Sequence, residues 1–432
     1  MFVCGSCGST QTKWLGKCPQ CDAWGSFTEV PDLPKKSAKN KSGFGTGAGA
    51  VFVQAGAVER KPLQRFSTGF AEVDRVFGKG IAEGTVALVG GDPGIGKSTL
   101  LLQVLVNFAK AGKTVAYISG EESLDQVSER LERVSPAIPE GLFLLSEQDL
   151  GNIMDGLIAQ EFDAIVIDSI HSLQHQELDG QSGGISQLKA VTTAVTHWAK
   201  QTRTIVFLIA QVTKEGYVAG PKTVEHIVDV VLYLEQVGSE NARMLRTIKN
   251  RYGDTGEVGF LSMGIQGMQD KADFSTMLVS SLSSEEPGSA LGITLQGSRP
   301  MVVQIQALVN DSPFAIPRRV VEGVSKNRVE VLAAVIAKKL PRLHIENKDI
   351  FVKVNGGITL KDSGTDLALV AAMLSSLTGK NWKDTVFVGE VGLLGEIKPG
   401  IAFEQRIKEG KKLSFQSLRS CKSDANIVTL TK

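Results

Sequence analysis

The chain lacks an excess of charge of either sign: its 432 residues hold 47 Lys plus Arg against 46 Asp plus Glu, a formal net charge of +1 at pH 7. A bulk attraction for nucleic acid is thereby excluded, and any DNA or RNA contact must be built locally. Long apolar runs are also missing. None approaches the roughly 20 residues that span a bilayer, and the longest, such as Thr204 to Ala210, have the length of buried strands. No membrane contact is expected. Met1-Phe2-Val3-Cys4 offers neither a basic nor an apolar leader, so a cytoplasmic location is expected. No repeat of about 20 to 50 residues recurs, which argues against a solenoid. Cysteine is scarce outside one place: of five, four stand at positions 4, 7, 18 and 21, and the fifth is Cys421.

What is present is an ordinary globular composition, 42% hydrophobic and 22% charged, with 46 glycines that direct attention to loops. At about 150 residues per domain the length suggests two or three domains. Residues 1–28 are bounded by cysteines, and residues 29–62, with Lys35, Lys36, Lys39, Lys41 and the Gly/Ala run from Gly43, read as a flexible basic linker. Across residues 63–284 short apolar runs alternate with helical patterns: Val86 to Val89 then Ser98 to Ala109, Thr114 to Ile118 then Ser123 to Leu131. Leu142 to Leu145, Leu150 to Gln160, Ala164 to Ile167, a helix ending near Lys200, and Ile205 to Ala210 continue the series. Such alternation implies βαβ units and a parallel sheet covered on both faces. Ser123 and Gln126 form a capping-box pattern. The polar stretch Ser283 to Ser289 marks a boundary, after which residues 285–432 read as an α+β domain. Its expected elements are strands near Met301 to Val309 and Ile350 to Val354, helices near Val329 to Leu340 and Leu367 to Leu377, and a hairpin-like stretch from Val386 to Ile397.

The cysteines form Cys4-x2-Cys7 and Cys18-x2-Cys21, two thiolate pairs on tight turns whose four sulfurs can converge tetrahedrally on Zn2+. Disulfides are disfavoured in a reducing compartment, and a redox CxxC needs a thioredoxin-like setting absent here. Four thiolates fill the coordination shell, so this zinc is structural. Cys421 has no partner pattern and reads as a small buried or free thiol.

Gly91-Asp92-Pro93-Gly94-Ile95-Gly96-Lys97-Ser98, continued by Thr99, satisfies the P-loop pattern between an expected strand and helix. Its glycines let backbone N–H groups curl around phosphate, Lys97 reaches the outer phosphates, and the Ser98 hydroxyl ligates Mg2+. Ala164 to Ile167 is an apolar strand ending in Asp168, placed to hold the magnesium shell. Gly120-Glu121-Glu122 closes another strand. Either glutamate can polarise the attacking water, with Glu121 the favoured base, or both can simply begin a helix where negative charge suits the dipole. Gln211 closes Thr204 to Ala210 and can sense the γ-phosphate. The following loop, Val212 to Lys222, carries Lys214 and Lys222, a composition equally suited to phosphate contact on DNA and to a solvated loop. Lys249-Asn250-Arg251-Tyr252-Gly253 ends the run from Arg243 with two cations, either solvated or serving as fingers on a neighbour's nucleotide.

Together the four-cysteine unit with Lys13-Trp14-Leu15-Gly16, the P-loop, Lys249-Asn250-Arg251-Tyr252-Gly253 and the Gly389-Glu390 segment resemble the bacterial RadA (Sms) family over nearly the whole chain. The resemblance implies an N-terminal zinc ribbon, a RecA-like parallel-sheet ATPase core and a C-terminal Lon-protease-like α+β domain. It further implies recombinational repair: hexameric rings that use ATP to move on single-stranded DNA and extend or branch-migrate recombination intermediates alongside the RecA recombinase, with Lys249 and Arg251 acting across subunits.

Three positions depart from the patterns resembled. Gln211 stands where the family usually has histidine, an exchange that keeps a hydrogen-bonding group at the phosphate. In the Lon-like segment Lys361-Asp362-Ser363-Gly364-Thr365-Asp366, Gly364 falls on the nucleophile's place, and Glu404 falls on that of the general-base lysine. A serine–lysine dyad needs both groups, so no peptidase is expected. A DNA-stimulated ATP motor is therefore the leading reading; a Lon-like ATP-dependent protease and a KaiC-like regulatory ATPase with protein partners are the alternatives. Two CxxC knuckles within about 30 residues bury too little apolar surface to fold unaided. Elemental analysis of protein purified without chelator is expected to find one zinc per chain, and a folded ribbon without zinc contradicts the metal site.

Overall fold

The structure, a computed structural model, describes residues 2–4, 10–11, 14, 16–19, 21, 23–25, 27–29, 63–176, 178, 180–211, 223–237, 241–271, 287–413, 415 and 417–431. Met1–Pro62 and Leu63–Lys432 are separate compact units. In the first, β1 (Phe2–Cys4) pairs antiparallel with β2 (Thr10–Gln11) and with β3 (Phe27–Glu29). The expected linker, residues 29–62, lies outside the described residues except for Glu29, which ends β3.

The second unit opens with β4 (Arg65–Phe66), α1 (Ala71–Phe77) and β5 (Ile81–Ala82). The expected alternation then follows: β6 (Val86–Gly91), α2 (Lys97–Lys110), β7 (Val115–Ser119), α3 (Leu124–Val134), β8 (Leu142–Ser146), α4 (Leu150–Ala159), β9 (Ala164–Asp168), α5 (Ile185–Thr202) and β10 (Ile205–Ile209). Ser123 caps α3 in a capping box, with Ser123 N donating to Gln126 Oε1 at 3.0 Å, and Asp149 caps α4 through Asn152 N at 2.9 Å. The chain continues through α6 (Thr223–Ile227), β11 (Val230–Gln236), β12 (Ala242–Asn250), β13 (Val258–Gly264) and β14 (Gly267–Asp270). The nine strands form one sheet in the order β14-β13-β12-β11-β6-β10-β9-β7-β8, parallel from β11 to β8 and antiparallel from β11 to β14.

Strand alternation divides the core. Ala87 and Val89 of β6 pack with α1, α2 and Tyr117 on one face; Val86 and Leu88 pack with α4 and α5 on the other. A parallel sheet buried on both faces requires this uninterrupted apolar reading.

Residues 287–431 add β15 (Ser289–Gln296), β16 (Arg299–Asp311), β17 (Arg319–Glu322), α7 (Lys326–Lys339), β18 (Lys348–Val354), α8 (Asp366–Thr378) and β19 (Thr385–Val388). They end with β20 (Glu390–Val391), β21 (Ile397–Lys398), α9 (Phe403–Lys412) and β22 (Ser417–Ser420). Six strands form a sheet ordered β17-β18-β16-β15-β19-β22. The expected hairpin is narrower than read: β20 pairs with β21, whereas Val386 and Val388 join the main sheet beside β15 and β22. Gly389 makes the break, its N–H and C=O being taken by Gly364 and Leu367.

The boundary expected at 284/285 lies outside the described residues, but the lobes on either side share an apolar core: Met244, Val258 and Phe260 pack with Met301, Val303 and Leu367. At this seam Glu72 Oε2 accepts from Arg299 Nη1 at 2.5 Å and from Phe260 N at 2.9 Å, while the Arg299 guanidinium lies 5.0 Å from the Phe260 ring centre. Among the described residues no helix is long and apolar enough to cross a membrane. Glu72→Ala removes a buried carboxylate from its ion pair with the largely buried Arg299 and is expected to destabilise the unit by about 3 kcal/mol, read as a lowered urea midpoint.

Candidate functional site

The P-loop joins β6 to α2. Gly91 has φ +151°, and a Cβ there would lie 2.4 Å from the Leu234 carbonyl oxygen of the neighbouring strand, so only glycine fits. Gly94 and Gly96 adopt φ +74° and +109°, turning the backbone of Asp92, Pro93 and Ile95 around the loop's centre. Buried Lys97 reaches back, its Nζ donating to the carbonyls of Gly91 at 2.8 Å and Asp92 at 2.9 Å. Burial lowers its pKa from the usual lysine range against the opposing pull of Asp168, Asp92 and Glu121. From β12, Arg243 Nε donates to Ile95 O at 3.0 Å and props the loop from outside.

Asp168 ends β9 in register with Ser119 of β7. Its carboxylate accepts a hydrogen bond from the buried Tyr117 hydroxyl, with Ser98, at the start of the P-loop helix, beside it. Burial raises the Asp168 pKa, and the Ser98 and Tyr117 hydroxyls oppose the rise. A buried carboxylate beside a serine hydroxyl is a donor set that suits a hard cation. The two glutamates after β7 differ. Glu121 accepts from Ser169 Oγ at 2.6 Å, whereas Glu122 is held by Arg130 through two bonds of 2.6 and 2.5 Å. Gln211 follows β10, exposed, on the same carboxyl edge of the sheet. An open cleft of about 720 Å³ is lined by Gly94, Gly96, Lys97, Ser98 and Thr99, by Glu122, Arg130 and Arg133, and by the β13–β14 turn.

Lys249 and Arg251 sit elsewhere. Lys249 pairs with Val231, which pairs with Leu88, and Arg251 N bonds Asp229 O just before β11. At ~3.3 Å per residue they stand about 10 and 17 Å down the strands from Gly91, toward the opposite edge. Lys249 Nζ donates to the carbonyls of Glu225, His226 and Val228 at the end of α6 at 2.8, 3.1 and 2.7 Å. Half-exposed Arg251 donates to Asp229 Oδ1 at 3.2 Å. Asp229, buried, also binds Val86 N at 2.9 Å and the Lys200 ammonium. The expected DNA-contacting Lys214 and Lys222 lie outside the described residues.

Of the expected zinc ligands, Cys4 ends β1, Cys18 is buried and Cys21 exposed on one turn closed by Cys18 N to Ala23 O at 2.9 Å. Cys7 lies outside the described residues. In the C-terminal lobe the slot at Gly364 is filled: a Cβ there would meet the Arg406 guanidinium at 2.6 Å. That guanidinium is wholly buried on Asp362 at 2.5 Å and on the Ile293 carbonyl. Ser363 Oγ donates to Glu390 Oε2 at 2.5 Å, and Glu404 is exposed on Lys422. An arginine cannot act as the general base of a dyad.

Sequence reading missed Tyr117, Ser169, Arg130, Arg243 and Asp229. A tyrosine inside an otherwise aliphatic strand and an aspartate between Val228 and Val230 were the available signals; the others depend on tertiary register.

A family described as "AAA domain" matches residues 57–217, and one described as "Rubredoxin metal binding domain" matches residues 2–29. "DNA repair protein RadA" of Campylobacter jejuni is 39% identical over 96% of this chain and 92% of its own length. The protein of that name from Helicobacter pylori strain 26695 is 40% identical over 96% and 92%, and that from Bacillus subtilis 38% over 96% and 91%. A solved KaiC-like protein of Pyrococcus horikoshii is similar over 49% of this chain and all of its own, at 18% identity and a TM-score of 0.42. The two family matches support ATP, Mg2+ and Zn2+ as the groups bound. Removing the Tyr117 hydroxyl deletes its hydrogen bond to the Asp168 carboxylate, a bond to a charged group. Tyr117→Phe is therefore expected to raise the magnesium concentration needed for half-maximal nucleotide binding about tenfold, in a titration of a fluorescent nucleotide.

Proposed function

Because the chain belongs to the DNA repair protein RadA family, we propose that it is an ATP-driven motor that binds single-stranded DNA and extends or branch-migrates recombination intermediates. It is an ATPase of DNA repair. In this reading it works as a homo-oligomeric, hexameric ring in the cytoplasm, beside the RecA recombinase.

Lys97 and the loop amides hold the β- and γ-phosphates, and Gln211 meets the γ-phosphate. Magnesium, when bound by Ser98 and within reach of Asp168, neutralises charge on the transferring phosphoryl group. Glu121, oriented by Ser169, holds the attacking water and takes its proton. Its neighbour is already engaged by Arg130, which favours Glu121 as base.

One observation carries the ring: Lys249 and Arg251 point toward the sheet edge opposite their own P-loop, so their charge serves another subunit's nucleotide. The loop holding Lys214 and Lys222 connects Gln211, at the phosphate edge, to α6, whose end Lys249 grips. A DNA phosphate drawn to that loop thereby acts on both the sensor and the finger. The Arg406 plug and the exposed Glu404 oppose the protease alternative.

Lys97→Ala is expected to abolish hydrolysis, and Lys249→Ala to slow it by on the order of 10³. Mixed Lys97→Ala and Lys249→Ala subunits should regain turnover, because intact half-sites meet at shared interfaces. Co-assembled mixtures no more active than either parent contradict the trans arrangement. Single-stranded DNA should accelerate hydrolysis, an effect weakened by the Lys214→Ala, Lys222→Ala double change with a shallower salt dependence of DNA binding; hydrolysis indifferent to DNA contradicts the motor.

A further inference from the structure

Arg130 takes no part in the chemistry above, yet it stands in the wall of the nucleotide cleft with Glu122 and faces Lys97 and Ser98. Helix α3 explains its direction. Val127 and Leu131 are turned into the core, which leaves Arg130 and Arg133 on the flank toward the cleft. The guanidinium is largely buried while its carboxylate partner is a third exposed, at 18% and 35% side-chain exposure. Its charge also acts on Asp168 and Tyr117, the pair joined by a hydrogen bond at the end of β9.

We propose that Arg130 is a phosphate-reading arginine of its own subunit's site, held in reserve by Glu122, which it leaves for the γ-phosphate of a bound nucleoside triphosphate. The proposal deepens the ATPase reading and rests on it and on Glu121 as the base.

Both acceptors take the guanidinium fork through two oxygens, but the terminal phosphate carries the larger charge. Glu122 cannot follow. Its backbone is pinned on both sides by the Ser119 hydroxyl, which accepts from Glu122 N and donates to Glu122 O, each at 2.9 Å. The longer arginine therefore moves, and the carboxylate left behind is open enough to be hydrated. A diphosphate, lacking the γ group, gives Arg130 no reason to leave. The arginine thus distinguishes substrate from product within one chain, separately from fingers supplied by a neighbour.

The test is binding of a non-hydrolysable ATP analogue and of ADP, each with magnesium, to the full-length protein. Arg130→Ala should weaken the triphosphate analogue about tenfold and leave ADP within about twofold. Glu122→Gln, which loosens the reserve contact, should tighten the analogue several-fold without changing ADP. The double change Arg130→Gln, Glu122→Gln removes both charges together, and should keep the loss of discrimination without a lone buried charge. Equal effects on both nucleotides, or none, overturn the proposal. Glu122→Gln that abolishes hydrolysis without tightening the analogue also overturns it and makes Glu122 the base. Wild-type protein that binds neither nucleotide overturns this proposal and the ATPase reading together.

Discussion

Strand β6 is hydrogen-bonded to β10 on one side and to β11 on the other, both reached only through crossovers, and this insertion governs everything the molecule can do. Parallel neighbours all end on one edge, so the P-loop, Glu121, Asp168 and Gln211 gather there although they are spread over much of the chain. The antiparallel return of β12 does the reverse. It brings its first residues, with Arg243, up to the P-loop and leaves its last, with Lys249 and Arg251, toward the other edge. Lys249 and Arg251 are thus separated from the P-loop of their own subunit by the depth of the sheet, the separation on which the proposed ring rests.

The far edge is tied by one carboxylate. Asp229 accepts from Val86 N at the start of the P-loop strand, from the Lys200 ammonium at the end of α5 and from Arg251. A buried carboxylate is tolerated only with partners of this kind. Arg251 is the most exposed of them; without it Asp229 keeps Val86 N and the Lys200 ammonium. Arg65 joins the same region: it donates to Phe77 O, Gly80 O and Tyr252 O at 3.3, 2.8 and 2.7 Å.

The sequence made some of this legible and not the rest. The P-loop could be read because its glycines encode a backbone path, and Asp168 because an aliphatic strand ending in a carboxylate fixes where that carboxylate stands. The preference for Glu121 over Glu122 had little in the sequence to rest on, since the difference lies in Arg130, which engages Glu122 from a helix flank away. Lys249 and Arg251 were visible as charge at a strand end, but their place at the opposite edge depends on the β11–β14 antiparallel extension, which has no motif. Gly364 read as a missing nucleophile; that Arg406 fills its slot is a fact of tertiary packing. The outcome at Val386 to Ile397 shows the same limit: apolar alternation is shared by a hairpin and by a strand of the main sheet, and Gly389 decides between them.

The central claim, that charge for one nucleotide comes from the next chain, is tested most directly by a structure of the assembled protein with a non-hydrolysable ATP analogue and single-stranded DNA. The account predicts Lys249 and Arg251 of each subunit at the γ-phosphate of its neighbour, released from the α6 carbonyls and from Asp229. Both cations still seated on those partners, with the neighbour's phosphate contacted by other groups, would contradict it.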